Sequence, residues 1–238
     1  MLLLRSLVFQ LYFFVSVCIA ALSIFLMWWA PFGVRSAIAR CWGRSMLVVG
    51  RVVCGLDYVI EGEDNIPDEP SVIMIKHTTV FETYCQLAIF PPQTWVVKRE
   101  LLWIPFFGWG MAAMRPIAID RSAGHHAVTQ VVDQGRDRLT HGIWVTIFPE
   151  GTRMPAGKTR KYGVSGALLA REVQCPIVPV AHNAGDFWPR RGLRKKPGRI
   201  RFCIGPPIAP GQHTPKEINL IVQDWIEGKM QEISSFYR

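Results

Sequence analysis

The first thirty residues are almost wholly apolar, broken only by Arg5, Ser6, Gln10, Ser16 and Ser23. The run from Leu7 to Ala30 exceeds the roughly 20 residues that a helix needs to cross a bilayer. It is also longer than a signal-peptide core of about 7–15 residues. Trp28 and Trp29 stand at its end, where aromatic belts form, and Pro31 and Gly33 break it. A buried helix of a soluble domain is the alternative. Residues 34–53 follow a different pattern, with Arg35, Arg40, Arg44 and Arg51 interleaved with Ile38, Trp42, Leu47, Val48 and Val52. This predicts a basic amphipathic helix at a membrane interface, or an ordinary surface helix of the same pattern. The positive charge downstream of the apolar run puts the rest of the chain on the cytoplasmic side. Whether the first helix spans the bilayer or dips in and returns stays open.

From Asp57 the pattern alternates between strands and helices. Strands are predicted at 57–61, 72–75, 94–98, 117–119, 143–148 and 177–181, with an edge strand at 199–204. Helices are predicted at 79–90, 124–140, 163–171 and 214–234. Residues 101–114 are rich in Trp, Phe and Gly and carry no charge. Pro176 and Pro179 place the 177–181 strand at a sheet edge or a bulge. The fold class is α/β, a single domain with a mostly parallel central sheet flanked by helices. It spans residues 56–238, preceded by membrane-anchoring helices over residues 1–55.

Composition narrows the partners. A chain of 238 residues, half of them hydrophobic, can bury one sizeable core and carry a short membrane element. The formal net charge of +9 calls for an anionic partner: nucleic acid, acidic lipid or a phosphorylated substrate. The apolar start and the lack of a binding motif count against nucleic acid. The six cysteines form no C-x-x-C pair and read as buried thiols in a reducing compartment. Neither they nor the six histidines have metal-ligand spacing, so no metal and no cofactor are expected. Seven basic residues crowd positions 190–201, facing either anionic headgroups, an acidic carrier protein or plain solvent.

Two polar turns follow buried strands. In the first, Lys76-His77-Thr78-Thr79-Val80-Phe81-Glu82, the spacing of Thr79 and Glu82 suits a capping box, so the helix should begin at Thr79. His77 then lies just before the helix, the only placement that lets it meet Glu82, since residues five apart within a helix point about 140° apart. Glu82 can equally be a plain cap. The second turn is Phe148-Pro149-Glu150-Gly151-Thr152-Arg153. Sites in open α/β sheets gather outside the carboxyl ends of strands, so both turns can face one cleft. Arg153 offers a planar fork for a phosphate, and Glu150 could orient it or a substrate hydroxyl. A tight turn with a solvated arginine has the same sequence. Arg121, at the end of Arg115-Pro116-Ile117-Ala118-Ile119-Asp120-Arg121, is a further phosphate candidate.

In this order, the blocks around His77, Arg121, Glu150 and Pro176 resemble the glycerophospholipid acyltransferases, most closely the bacterial 1-acyl-sn-glycerol-3-phosphate acyltransferases. That family carries an H-x-x-x-x-D block, a G-x-x-F-I-D-R-like block, F-P-E-G-T-R and a V-P-I-V-P-V-like strand. The segment from Lys98 to Gly110 is also similar. The resemblance implies transfer of a fatty acyl group from acyl-CoA or acyl-carrier protein to the sn-2 hydroxyl of lysophosphatidic acid, at the inner membrane. It implies His77 as general base and Glu82 as its orienting partner, with no acyl-enzyme. N–H groups at the helix start would serve an oxyanion. The acceptor's phosphate would meet Arg153, with Arg121 and Lys98 as weaker candidates; Gly151 would let the backbone approach closely, and Thr152 would also line the substrate site. Two departures stand out: Glu82 replaces the usual Asp, and Met114 and Pro116 flank Arg115 in the second block. Another lysolipid acceptor, such as a lyso-ornithine lipid, is the alternative within enzymes; a lipid-binding protein without turnover is the alternative outside them.

Overall fold

The computed structural model describes residues 1–120 and 123–237. Its centre is a seven-stranded sheet in the order β1-β7-β6-β2-β5-β3-β4. The strands are β1 (Leu56–Glu61), β2 (Val72–Ile75), β3 (Gln93–Lys98), β4 (Ile117–Ile119), β5 (Trp144–Ile147), β6 (Ile177–His182) and β7 (Gly198–Ile204). All pairings are parallel except β6 with β7. Side chains alternate across a strand, so β2 divides between two cores. Val72 and Met74 pack on one face with α5 (His125–Thr140), α6 (Ser165–Val173) and α8 (Pro215–Ile233), the last following the short α7 (Ala184–Phe187). From α8, Ile218, Val222, Ile226 and Met230 reach this core at a spacing of four. Ile73 and Ile75 pack on the other face with Met46 and Leu47 of α2 (Phe32–Cys54) and Phe81, Tyr84 and Cys85 of α3 (Phe81–Ile89). Burial on both faces is why β2 reads as an unbroken apolar run.

The sequence places most elements to within two residues, and three departures have physical causes. The β6 strand lies in the interior of the sheet, despite its prolines. Ladder pairing with β7 begins only at Val180, one residue after Pro179. The N–H that Pro179 lacks falls where no partner strand needs it, and its carbonyl accepts from Gly205 N–H at 2.8 Å. The β7 strand is also internal, because it pairs with β1 as well as β6. The α3 helix starts at Phe81 rather than Thr79, since the Thr79 hydroxyl takes the Phe81 N–H at 2.8 Å. The uncharged 101–114 stretch contains the short α4 (Phe107–Ala113).

The N-terminal helix α1 (Leu2–Leu26) is not a core helix: only 17% of its most apolar stretch is buried. Leu4, Leu11, Ile19 and Leu26 are exposed. It nevertheless lies along the domain. Near its start, Ser6 Oγ accepts from Lys195 N–H at 2.9 Å, and near its end Ala21 touches Gly110. Two of the four arginines of α2 turn toward the domain rather than outward. Arg35 donates to the Ala113 carbonyl at the end of α4, and Arg40 to the Phe90 carbonyl just after α3, at 2.9 Å. Both satisfy helix C-termini, where carbonyls lack partners and positive charge is favoured. Of the cysteines, Cys18 and Cys41 are exposed on these two helices, against the expectation of buried thiols throughout.

At Gly110, α4 packs closely against α1. A Cβ there would lie 2.4 Å from the Ala21 carbonyl oxygen and 2.5 Å from its Cα. Gly110→Ala is therefore expected to cost about 1–3 kcal/mol by overpacking. Thermal unfolding in detergent, with limited proteolysis of α1, checks this.

Candidate active site

The β2–β5 register builds the site. Met74 is paired with Ile147, so three residues further on His77 stands opposite Glu150. His77 N–H donates to Glu150 Oε2 at 2.9 Å, and its carbonyl accepts from Met154 N–H at 2.7 Å. The 148–154 turn thus grips the His77 backbone from both sides. Its ring stacks on Phe148, with centroids 4.1 Å apart.

Glu82, on the first turn of α3, is fully buried and turned back toward the histidine. Its Oε1 accepts from His77 Nδ1 at 2.8 Å and from the Thr78 and Thr79 N–H groups, each at 2.9 Å. Its Oε2 accepts from the Thr79 hydroxyl at 2.6 Å. Burial alone would raise the carboxyl, but His182, His77 and Thr79 outweigh it and hold the pKa at about 2. An ionised carboxylate can only accept, so His77 Nδ1 carries the proton and Nε2 is left with its lone pair. The His77–Glu82 contact is the one expected from the sequence, and Glu82 does more here than cap a helix. The same geometry overturns the expected oxyanion donors, because Thr78, Thr79 and Phe81 N–H are all spent inside the turn.

Behind the dyad lies a buried charge network. Lys76 is fully buried, and its Nζ donates to Glu150 Oε1 at 2.7 Å and Glu227 Oε1 at 2.8 Å. Burial opposes the ammonium, yet the two carboxylates raise its pKa on balance. Burial in turn pushes Glu150 up, against the pull of Lys76. The Glu227 oxygen also accepts from Thr159 and from the Tyr162 hydroxyl, at 2.8 and 2.7 Å. His182 backs Glu82 from the other side, 3.6 Å from Oε2, while its Nε2 donates to the Lys76 carbonyl at 2.8 Å. Burial lowers the His182 pKa against the pull of Glu82, and the contact with the Lys76 carbonyl puts a proton on Nε2.

His77 opens onto a cavity of about 310 Å³ whose wall includes Arg153 and Lys98. Among the described residues Arg153 has no hydrogen-bonding or ionic partner. Lys98 is half exposed and paired with Glu100 at 2.9 Å. Apolar lining comes from Phe13 and Val17 of α1, Trp42 of α2, and Leu101 and Met111. Glu150 is not on this wall. It is buried against Lys76 and His77 N–H, so it positions the histidine rather than Arg153 or a substrate hydroxyl. Thr152 also faces away, where Arg190 approaches its hydroxyl at 3.4 Å. Gly151 has φ +66°, a conformation that costs glycine nothing in this turn. Arg121 lies outside the described residues. Arg115 pairs with Asp137 at 3.0 Å on the surface. Sequence reasoning passed over His182, Lys76 and Glu227. The position of His182 at the end of a buried strand was the available signal; Glu227 gave none.

Residues 57–183 match the family model described as Acyltransferase. Over 208 residues the chain is 42% identical to the 1-acyl-sn-glycerol-3-phosphate acyltransferase of Pseudomonas aeruginosa, covering 86% of this chain and 81% of that one. The enzyme of that name from Saccharomyces cerevisiae is 32% identical over 148 residues, 60% of this chain and 46% of its own. A crystal structure of the 1-acyl-sn-glycerophosphate acyltransferase from Thermotoga maritima has the same fold. The TM-score is 0.81 over 97% of this chain and 95% of that one, at 20% identity.

Two outcomes follow from the buried charges. Lys76→Met leaves Glu150 buried without its ion partner and is expected to destabilise the protein by about 3–5 kcal/mol, read from denaturant unfolding. The Glu82 carboxyl is depressed from 4.5 to about 2 on folding. Its contribution is present in full above about pH 4.5 and lost as pH falls toward 2. The stability gap between wild type and Glu82→Gln should therefore close over that window in an acid-unfolding series.

Proposed function

The chain belongs to the acyltransferase family, and on that premise we propose that it acylates the free sn-2 hydroxyl of 1-acyl-sn-glycerol 3-phosphate, giving phosphatidic acid. The observation that carries this reading is the His77 Nδ1–Glu82 contact of 2.8 Å in a cleft that also presents Arg153. The acceptor hydroxyl gives its proton to His77 Nε2 as its oxygen attacks the thioester carbonyl. Glu82 fixes the ring's tautomer and stabilises the imidazolium. The new C–O bond forms, the C–S bond breaks, and the imidazolium returns the proton to the departing thiolate. The protein itself is never acylated. Val80, on the cleft wall, keeps an N–H with no protein acceptor among the described residues, and it serves the oxyanion in place of Thr78 and Thr79.

Arg153 takes the acceptor's phosphate, supported by its place on the cleft wall without a carboxylate partner, and Lys98 assists from the rim. The exposed apolar face of α1 enters the bilayer, and the α1 and α2 side chains on the cleft wall bring a membrane-dissolved acceptor to His77. The domain lies on the cytoplasmic side of the inner membrane in this reading.

Acyl transfer by purified protein in detergent tests it, with lysophosphatidic acid, glycerol 3-phosphate, lysophosphatidylethanolamine and lyso-ornithine lipid offered side by side. His77→Ala is expected to lose at least about 10²-fold in turnover, the low end of general-base assistance. Near wild-type turnover in that variant would refute the base. Arg153→Ala is expected to raise KM for lysophosphatidic acid more than KM for the acyl donor. Preference for another acceptor keeps the mechanism and changes the substrate.

A further inference from the structure

The far side of the Arg153 turn carries a second, open cavity of about 520 Å³. The two cavities share the 152–156 segment as a wall. Arg153 faces the His77 cleft, Pro155 and Ala156 face the second cavity, and Met154 between them holds the His77 carbonyl. Three cations line this second space: Arg190, Arg191 and Lys196. Arg191 and Lys196 are exposed and have no carboxylate partner among the described residues. The one acidic residue on the wall, Asp186, is engaged elsewhere. It accepts from the Ser234 hydroxyl at 2.7 Å and from Ser235 N–H at 2.8 Å. Phe236, 55% exposed, and Pro189 also line the space.

This combination is specific in its chemistry. Unpaired guanidinium and ammonium groups suit phosphates, and an exposed aromatic face suits a planar base. The space is concave and of the size that small ligands occupy. A carrier protein would present carboxylates on a convex helix, and a bilayer would present a flat surface. Other basic residues of the 190–201 stretch do not join the cavity. Lys195 is buried over the Trp188 ring, and Arg201 is paired with Glu61 and Glu232.

We infer that this cavity holds the 3′-phosphorylated ADP end of coenzyme A, with the thioester arm crossing the 152–156 segment to reach His77. The inference rests on the acyltransferase reading above and names its donor.

The test uses the full chain in detergent. Free coenzyme A and dephospho-coenzyme A are titrated calorimetrically into wild type, Arg191→Ala/Lys196→Ala and Phe236→Ala. All three side chains are exposed, so folding is not at stake. Coenzyme A affinity is expected to fall about tenfold or more in the double variant, as two charge-assisted contacts are lost. Dephospho-coenzyme A should bind wild type more weakly and respond less to the substitutions. In turnover, KM for acyl-CoA should rise by a similar factor, while KM for acyl-pantetheine, which lacks the nucleotide, should not. Unchanged coenzyme A affinity in the double variant would overturn the site. So would a defect confined to acyl-carrier protein, or to binding of anionic vesicles. Binding is read without turnover. Coenzyme A held through these residues without acylation of lysophosphatidic acid would therefore count against the acceptor and leave the site standing.

Discussion

A single ammonium group, that of Lys76, ties the site to the rest of the molecule. It sits without solvent at the end of β2, one residue before His77, and holds one carboxylate from the β5 turn and one from α8. A charge in that position is tolerable only with both partners in place, because desolvation costs more than one imperfect contact returns. The β5 turn, the C-terminal helix and the strand that carries His77 at its end are therefore fixed relative to one another. Glu150 passes this constraint to His77 through the backbone N–H.

Two carboxylates then act on one histidine in different ways. Glu150 sets where the backbone lies, and Glu82 sets which nitrogen holds the proton. The extra methylene of Glu82, compared with aspartate, has a use in this turn. The side chain reaches back from α3 to meet Thr78, Thr79 and His77 together. With its lone pairs occupied, the carboxylate has little freedom to rotate, and the ring inherits that order. His182 closes the far side, 3.6 Å from the Glu82 carboxylate, with its Nε2 proton on the Lys76 carbonyl.

The helices before the sheet belong to the site rather than hanging from it. Phe13, Val17 and Trp42 form part of the cleft wall, and Arg35 and Arg40 bolt α2 to the ends of α4 and α3. The exposed apolar face of α1 and the solvent-facing cations around Arg191 lie on different parts of one small molecule. In the proposed reading, a lipid acceptor and a water-soluble donor approach His77 from these separate directions.

Much of this was legible in the sequence. Strand β2 was readable to the residue, since period and composition are local properties of the chain. The two strand-end turns, the His77–Glu82 contact and the place of Arg153 beside one cleft were also readable, because strand register and the capping spacing act over a few residues. What the sequence left open depends on partners far apart. Lys76 meets Glu227 across 151 positions, and Lys195 meets Gln10 across 185. No periodicity encodes such pairs. Whether Glu150 faced the substrate or the core, whether a proline-bearing strand stood at an edge or the centre, and which arginines faced outward were decided only on packing. Burial there left a charge or a missing N–H just one arrangement in which it could be satisfied.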